Sequence, residues 1–247
     1  MKDNLIDHLS YSQVNTYAQC PRRWYYEKVK YKIYKKAWPL TLGSAYHACL
    51  EAMYKGTEIN EALQIFGDGL KKWGALTDYE KGDAEQMLGN IRYYYYNVYP
   101  KYKSLYEVAE KEIEVVIDKV DVPIIGMVDV ITKDARIIDH KTVGRTEPKA
   151  EQNTQMLLYA YWYYKEYGKM PRKMELHKSF KYTKGKRDPV VIDTARVDWP
   201  DICRVVEMVQ GVWQGIKNEQ FHPMPNEFCK WCQYQEHCAK ASVSKIL

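Results

Sequence analysis

Four cysteines stand at the two extremities of the chain, Cys20 near the start and Cys229, Cys232 and Cys238 near the end. The Cys-x2-Cys-x5-Cys spacing gives three thiolates at close range, and a tetrahedral group needs a fourth ligand that only a distant residue can supply. Cys20 is the natural candidate. If the four share one metal group, the ends of a 247-residue chain must meet, which closes a very long loop in a region with little core of its own.

The first ten residues, MKDNLIDHLS, alternate charged and apolar positions and lack the apolar stretch of a secretory signal. The longest apolar run, Met156 to Tyr164, is rich in tyrosine and too short to cross a bilayer. A soluble, cytoplasmic protein without a membrane partner is expected. In that reducing setting, metal ligation explains a close cysteine cluster better than a disulfide framework does.

Three readings compete for the cluster: a [4Fe–4S] group, a structural zinc, or no metal. The tail lacks the second Cys-x-x-Cys pair of a zinc ribbon, which favours iron–sulfur, whereas His237 beside Cys238 keeps zinc in play. Trp231 and Tyr234 are expected to shield the group from water. Cys49 and Cys203 stand alone in apolar helical patterns and are expected in the core.

Length favours a single domain over 1–247. Residues 1–100 read as mainly helical: Ser10 or Ser12 caps a first helix, Pro21 opens a second, and a loop through Trp38 and Pro39 leads to a helix bearing Gly43, His47 and Glu51 on one face. The stretches 58–74 and 79–98 are helical as well. From 107 the period changes, and three Val/Ile-rich runs separated by short polar turns predict successive strands. A helix over 151–167, two further strands in a β region spanning 105–197, a helix over 198–220 and the cysteine tail complete the chain. The expected class is α/β: a central mixed β-sheet flanked by helices, with a helical region before it and a cysteine cluster after it.

Asp/Glu-x-Lys is a weak motif and occurs twice. Glu147-Pro148-Lys149 lies in a polar stretch, where side chains are poorly fixed. Asp139-His140-Lys141 ends the apolar strand ARII, a rigid platform. Residues two apart on a strand share a face, so Asp139 and Lys141 project together, and the neighbouring strand GMVDVI contributes Asp129. Two carboxylates in one small volume repel unless a cation joins them, and hard oxygen ligands suit magnesium or manganese. Such a metal can acidify a water and offset charge at a phosphorus atom, with Lys141 positioning that water or neutralising the transition state. Glu112 and Glu114, on one face of the first strand, read as solvated or ion-paired groups that could help position the site.

GSAYHACLE, GMVDVI, IIDHKT and the helix QNTQMLLYAYWYY resemble the ordered motif set of the PD-(D/E)XK nuclease superfamily, in particular its RecB-like branch. The cysteine arrangement is similar to that of its iron–sulfur subgroup, which includes AddB nuclease domains and CRISPR-associated exonucleases. The similarity runs from SYSQVNTYAQCPRRWYY to the last cysteine. It implies a restriction-endonuclease-like core and a Mg- or Mn-dependent deoxyribonuclease, more an exonuclease on single-stranded DNA than an endonuclease. It further implies His47, Asp129, Asp139 and the backbone carbonyl of His140 as metal ligands, and Lys141 as the catalytic lysine. Gln155 and Tyr159 match a Gln-x-x-x-Tyr motif that orients site and substrate. A rival of another class is a non-cleaving iron–sulfur DNA-binding subunit serving a helicase, a single-strand annealing protein or a CRISPR integrase. A small electron carrier would explain the cysteines but leave the strand motifs idle.

A net charge of +5 is a mild basic bias, so local placement matters more. Residues 28–38 interleave Lys28, Lys30, Lys32, Lys35 and Lys36 with Tyr31, Tyr34 and Trp38, just after Arg22 and Arg23. Lysines can follow phosphates while rings stack on unpaired bases, as for single-stranded DNA. A second basic tip spans Lys178 to Arg187. For both, a solvated basic face is the plain alternative. The run Tyr93 to Tyr96 covers every side of a helix and is expected to be core.

Overall fold

The computed structural model describes residues 5–32, 37–144, 149–181 and 188–246, with side chains to 241. Six strands form one mixed sheet flanked by helices: β1 (Leu9–Ser10), β2 (Tyr106–Val115), β3 (Ile124–Thr132), β4 (Arg136–Val143), β5 (Lys173–Phe180) and β6 (Val190–Ala195). The order is β1-β3-β4-β5-β6, with β2 also paired to β3. The chain clusters into two compact units, one of residues 36–113 and 127–202, the other of residues 1–35, 114–126 and 203–247.

The larger unit carries α3 (Trp38–Tyr54), α4 (Ile59–Lys71), α5 (Asp78–Tyr93), a short helix at Pro100–Lys103, and α7 (Thr154–Tyr167). The short helix is α6, and α1 (Tyr11–Gln19) and α2 (Pro21–Tyr25) belong to the smaller unit. Helix α3 begins earlier than the expected loop: Pro39 sits in its first turn, where a missing N–H costs nothing, and Trp38 Nε1 donates to buried Asp83 at 2.9 Å. Trp38 is therefore an anchor, not an exposed ring for stacking on bases. Thr77 and Glu80 form a reciprocal capping box that starts α5. The core joins Leu42, Tyr46, Met53, Phe66, Met87 and Ile91 to the inner face of the sheet at Val130 and Ile138.

Strand β4 has neighbours on both sides and is buried from Ile137 to His140. It runs parallel to β5, with His140 opposite His177 and Lys141 opposite Lys178. Parallel neighbours need a long crossover, and α7 provides it. Asn153 caps that helix by accepting from Gln155 N and Met156 N, and Gly168 at φ 68 ends it in the left-handed conformation that glycine adopts without strain.

The smaller unit holds α1, α2, the paired start of β3 with β1, α8 (Trp199–Lys217) from Cys203 onward, and α9 (Gln235–Ile246). Ser10 caps α1, and Cys20 ends α1 and precedes Pro21 at the start of α2, as the sequence suggests. Gly215 of α8 lies against α1: a Cβ there would collide with the Tyr17 hydroxyl, which donates to Gln220 O at 2.7 Å. Cys203 is exposed, a correction to its expected core role. The buried stripe of α8 runs through Ile202, Val205, Val209 and Trp213, and Cys203 falls one position off it. Cys49, by contrast, is fully buried on α3.

Among the described residues no helix is long and apolar enough to cross a membrane.

Candidate active site and cysteine cluster

Strands β3 and β4 pair through Ile131 with Ile137 and Val130 with Ile138. One step further, the ladder gives way to side-chain bonding: the His140 N–H donates to the Asp129 carboxylate at 2.6 Å. Asp129 also lies 3.1 Å from His47 Nδ1 on α3. His47, Asp129 and Glu110 place ligand atoms within 4.8 Å of one another, the one such set of at least three among the described residues. They line a cavity of about 640 Å³ together with Lys141, Thr142 and Glu51.

Asp139 is 1 % exposed and does not line that cavity. Lys141 Nζ lies 2.9 Å from Asp139 Oδ2, donates to Oδ1 at 3.2 Å and donates to Gln155 Oε1 at 2.7 Å. Gln155 in turn donates to the Tyr159 hydroxyl at 2.6 Å, and that hydroxyl donates to Met127 O on β3 at 2.5 Å. The i, i+4 spacing on α7 thus becomes a brace running from the helix to the lysine and back to the sheet. Despite the ammonium, Asp139 Oδ2 has no partner in hydrogen-bond geometry among the described residues.

Protonation follows the burial and the charges. Burial alone would depress His47, but the Asp129 carboxylate outweighs it and lifts the imidazole to about 9. Burial opposes ionisation of Asp129, yet His47 and the contact with His140 hold it well below the usual carboxylate range. Burial raises Asp139 in spite of Lys141. Glu110 is pushed up to about 7 by burial and by Asp129. Burial, reinforced by the neighbouring Asp129, raises both Asp139 and Glu110, and hard oxygen donors of this kind suit a divalent cation.

Sequence reasoning expected Asp129 and Asp139 as joint ligands beside His47. The structure gathers His47 and Asp129 with Glu110, and pairs Asp139 with Lys141. Glu110 was missed. It shares the alternation of Glu112 and Glu114, which are exposed, and is set apart by a left-handed φ of 49 that no sequence pattern signals.

In the smaller unit, Cys20, Cys229, Cys232 and Cys238 all line one cavity of about 270 Å³ with Arg22, Arg23, Tyr26 and Tyr234. None forms a disulfide. No three of these thiols fall within the 4.8 Å span that groups the active-site ligands. Arg22 is buried, with Nε donating to Phe221 O at 3.4 Å and Nη1 4.0 Å from Cys238 Sγ, so it faces the cysteines and not a phosphate path. Tyr234 is 4 % exposed and can shield the cavity, whereas Trp231 is 77 % exposed and cannot, because it ends the short turn Glu227–Trp231 pointing outward. Lys30 lies 5.1 Å from the Tyr31 ring, which stacks on Tyr234 and meets His237 at 4.7 Å. Tyr34, Lys35, Lys36 and the tip 182–187 lie outside the described residues.

No curated protein matches the chain in sequence. The crystal structure of a "putative exonuclease" from Eubacterium rectale superposes with a TM-score of 0.60 at 15 % identity, over 92 % of this chain and 88 % of that one. At that identity the likeness shows the fold alone. The structure of SSO0001 reaches a TM-score of 0.43 at 16 % identity over 94 % of this chain and 86 % of that one, too low to carry an argument. The model of the PD-(D/E)XK nuclease superfamily matches residues 8–239. The chain belongs to the PD-(D/E)XK nuclease superfamily.

Proposed function

We propose that the protein is a Mg- or Mn-dependent deoxyribonuclease of the RecB-like branch, acting as an exonuclease on single-stranded DNA, with a [4Fe–4S] cluster on its four cysteines. The observation that carries the nuclease reading is the convergence of His47, Glu110 and Asp129 at the mouth of a cavity that Lys141 also lines. A bound divalent ion would supply an acidified water and offset negative charge at the scissile phosphorus.

The chain's own residues do the remaining work. Asp129 is held by the His140 N–H and lines the cavity, and Asp139, the other expected carboxylate ligand, is paired with the Lys141 ammonium. His47 must surrender its proton before its nitrogen can ligate. The Lys141 ammonium is fixed on two sides, by Asp139 and by Gln155, so it enters the transition state already oriented towards the developing charge. Tyr159 fixes Gln155 and ties α7 to β3. The His140 carbonyl is the remaining ligand that the family pattern supplies.

The cluster reading rests on four thiols around one cavity and on the spacing of the cysteines in the sequence. Arg22 and the Asn226 N–H, 3.4 Å from Cys229 Sγ, would offset its negative charge. Its role would be to hold the tail against α1 and α2. DNA is the proposed partner, with a helicase, an annealing protein or a CRISPR integrase as candidate associates.

The test uses anaerobically purified protein with end-labelled single- and double-stranded DNA, with and without manganese, beside Asp139→Ala and Lys141→Ala. Digestion that needs the metal and disappears in both variants, with DNA binding retained, supports the proposal; digestion that persists in both refutes it. Visible colour, iron and acid-labile sulfide on the same sample report on the cluster. A colourless protein containing zinc would overturn that part alone.

A further inference from the structure

Helices α3 and α4 pack backbone-close at Ala45 and Gly69, where a Cβ on the glycine would stand 2.8 Å from that of Ala45. Around that contact opens a groove of about 440 Å³, within the roughly 300–1,000 Å³ of small-molecule sites. Its two large apolar side chains are Leu40 of α3, 49 % exposed, and Ile65 of α4, 37 % exposed. Ser44, Asp68 and Lys72 also line it, and Asp68 pairs with Lys71 at 2.7 Å.

The groove adjoins the cavity of His47, Glu110 and Asp129, because Leu40, Ser44 and Ala48 line both. These three are spaced four apart, so they form one ridge along α3, about 12 Å long at 1.5 Å per residue. Gly43, His47 and Glu51 stand on one flank of the ridge and Thr41 and Ala45 on the other, which faces α4. At Ser44 and Ala48 the ridge is low, since neither side chain reaches beyond one heavy atom past its Cβ. A strand held in the first cavity therefore has a short way across into the second.

We propose that this groove is a subsite for one unpaired nucleobase of the DNA strand whose phosphate lies at His47, Glu110 and Asp129. The proposal rests on the nuclease reading above and gives it a place for the substrate beyond the scissile bond. A nucleobase has apolar faces and a polar edge. Leu40 and Ile65 match the faces, Ser44 and Asp68 offer the edge hydrogen-bond partners, and the Lys72 ammonium suits a neighbouring phosphate. A base inside a duplex is engaged by its partner and its stacked neighbours, so it reaches such a groove only by extrusion. The shape beside the metal seat thus supplies a physical reason for a preference for single strands.

The experiment compares wild type, Leu40→Ala/Ile65→Ala and Ser44→Leu as full chains, with Val116→Ala as control, an exposed apolar side chain that lines neither cavity. Binding of labelled single-stranded oligonucleotides is measured by fluorescence anisotropy in calcium, with strand integrity checked on gels, while one abasic position is moved inward from the end. In wild type and in Val116→Ala, one position near the end should weaken binding about tenfold when its base is removed, as for a stacked base. Leu40→Ala/Ile65→Ala and Ser44→Leu should bind the intact strand about tenfold more weakly and lose nothing further at that position. Additive losses, an abasic scan without effect on wild type, or variants that bind the intact strand as tightly as wild type overturn the proposal. So does a chain that light scattering finds dimeric and that Leu40→Ala/Ile65→Ala makes monomeric, which assigns the groove to a second copy. Digestion of the intact strand in manganese judges the nuclease reading separately: a wild type that binds but never cuts removes that reading, while the pattern of abasic losses still judges the groove. A wild type that binds no strand removes both.

Discussion

Lys141→Ala removes the counter-charge of a carboxylate that is almost wholly buried. The Lys141 side chain is 26 % exposed and that of Asp139 is 2 % exposed, with the charged atoms 2.9 Å apart. Breaking a buried ion pair from one side costs about 3–5 kcal/mol. Partial solvation of the lysine lowers the figure, and Asp139 can escape by protonating because burial already raises it, so about 2–3 kcal/mol is expected. For a chain of this length that corresponds to a melting temperature lower by roughly 5–10 °C. Two conditions should shrink the deficit: mild acid, which neutralises Asp139, and manganese, which replaces the missing positive charge. At a hundredfold excess over its dissociation constant the ion adds about 2.7 kcal/mol to any form that binds it, and the variant should gain more than wild type. The assay is thermal unfolding at pH 5 and pH 8, with and without the metal, alongside Asp139→Asn/Lys141→Met. A single variant as stable as wild type, a deficit equal at both pH values, or a double variant as weak as the single one would show that lost packing and not an uncompensated charge is at issue.

Glu110→Gln should weaken manganese binding at least about tenfold, whereas Glu112→Gln should leave it unchanged; equal titrations by calorimetry would remove Glu110 from the ligand set. His47 carries a proton up to about pH 9 in the metal-free protein, so manganese affinity should climb with pH between 6 and 9 as less proton must be displaced. The same raised value means that the Asp129 pairing stabilises metal-free protein fully below about pH 6.5 and is lost as pH rises through about 9; Asp129→Asn should flatten that decline in urea titrations. Gly215→Ala should cost about 1–3 kcal/mol by forcing Tyr17 off Gln220, measurable in urea, and a neutral outcome would mean that α1 and α8 yield freely.

Most of the strands and long helices could be read from periodicity, because their apolar faces are fixed by burial: the Val/Ile runs became β2 to β4, and the tyrosine-rich helix became α7. The two-residue β1 could not, since its pairing with Ile124 and Ile125 depends on a partner over a hundred residues away. In the site, Asp139 and Lys141 share a face as strand alternation requires, and Gln155 meets Lys141. Glu110 escaped notice because its direction comes from a backbone torsion, a property of the folded chain more than of any local pattern. Tyr94 is buried, as expected of the run Tyr93 to Tyr96, whereas Tyr96 is exposed. The stacking role considered for Trp38 and the shielding role for Trp231 failed because ring chemistry does not say which way a ring faces.

Strand β4 assigns different duties to consecutive residues: Asp139 and Lys141 turn towards α7, and the His140 ring between them turns towards Tyr94. One inserted or deleted residue ahead of Asp139 would exchange those two sides. The imidazole would face the glutamine brace, and the acid and the ammonium would face Tyr94. Evolution can lengthen the surface turns of such a protein freely, but the spacing along this strand admits no drift, and an indel there would disable the cation seat and the lysine's brace in a single step.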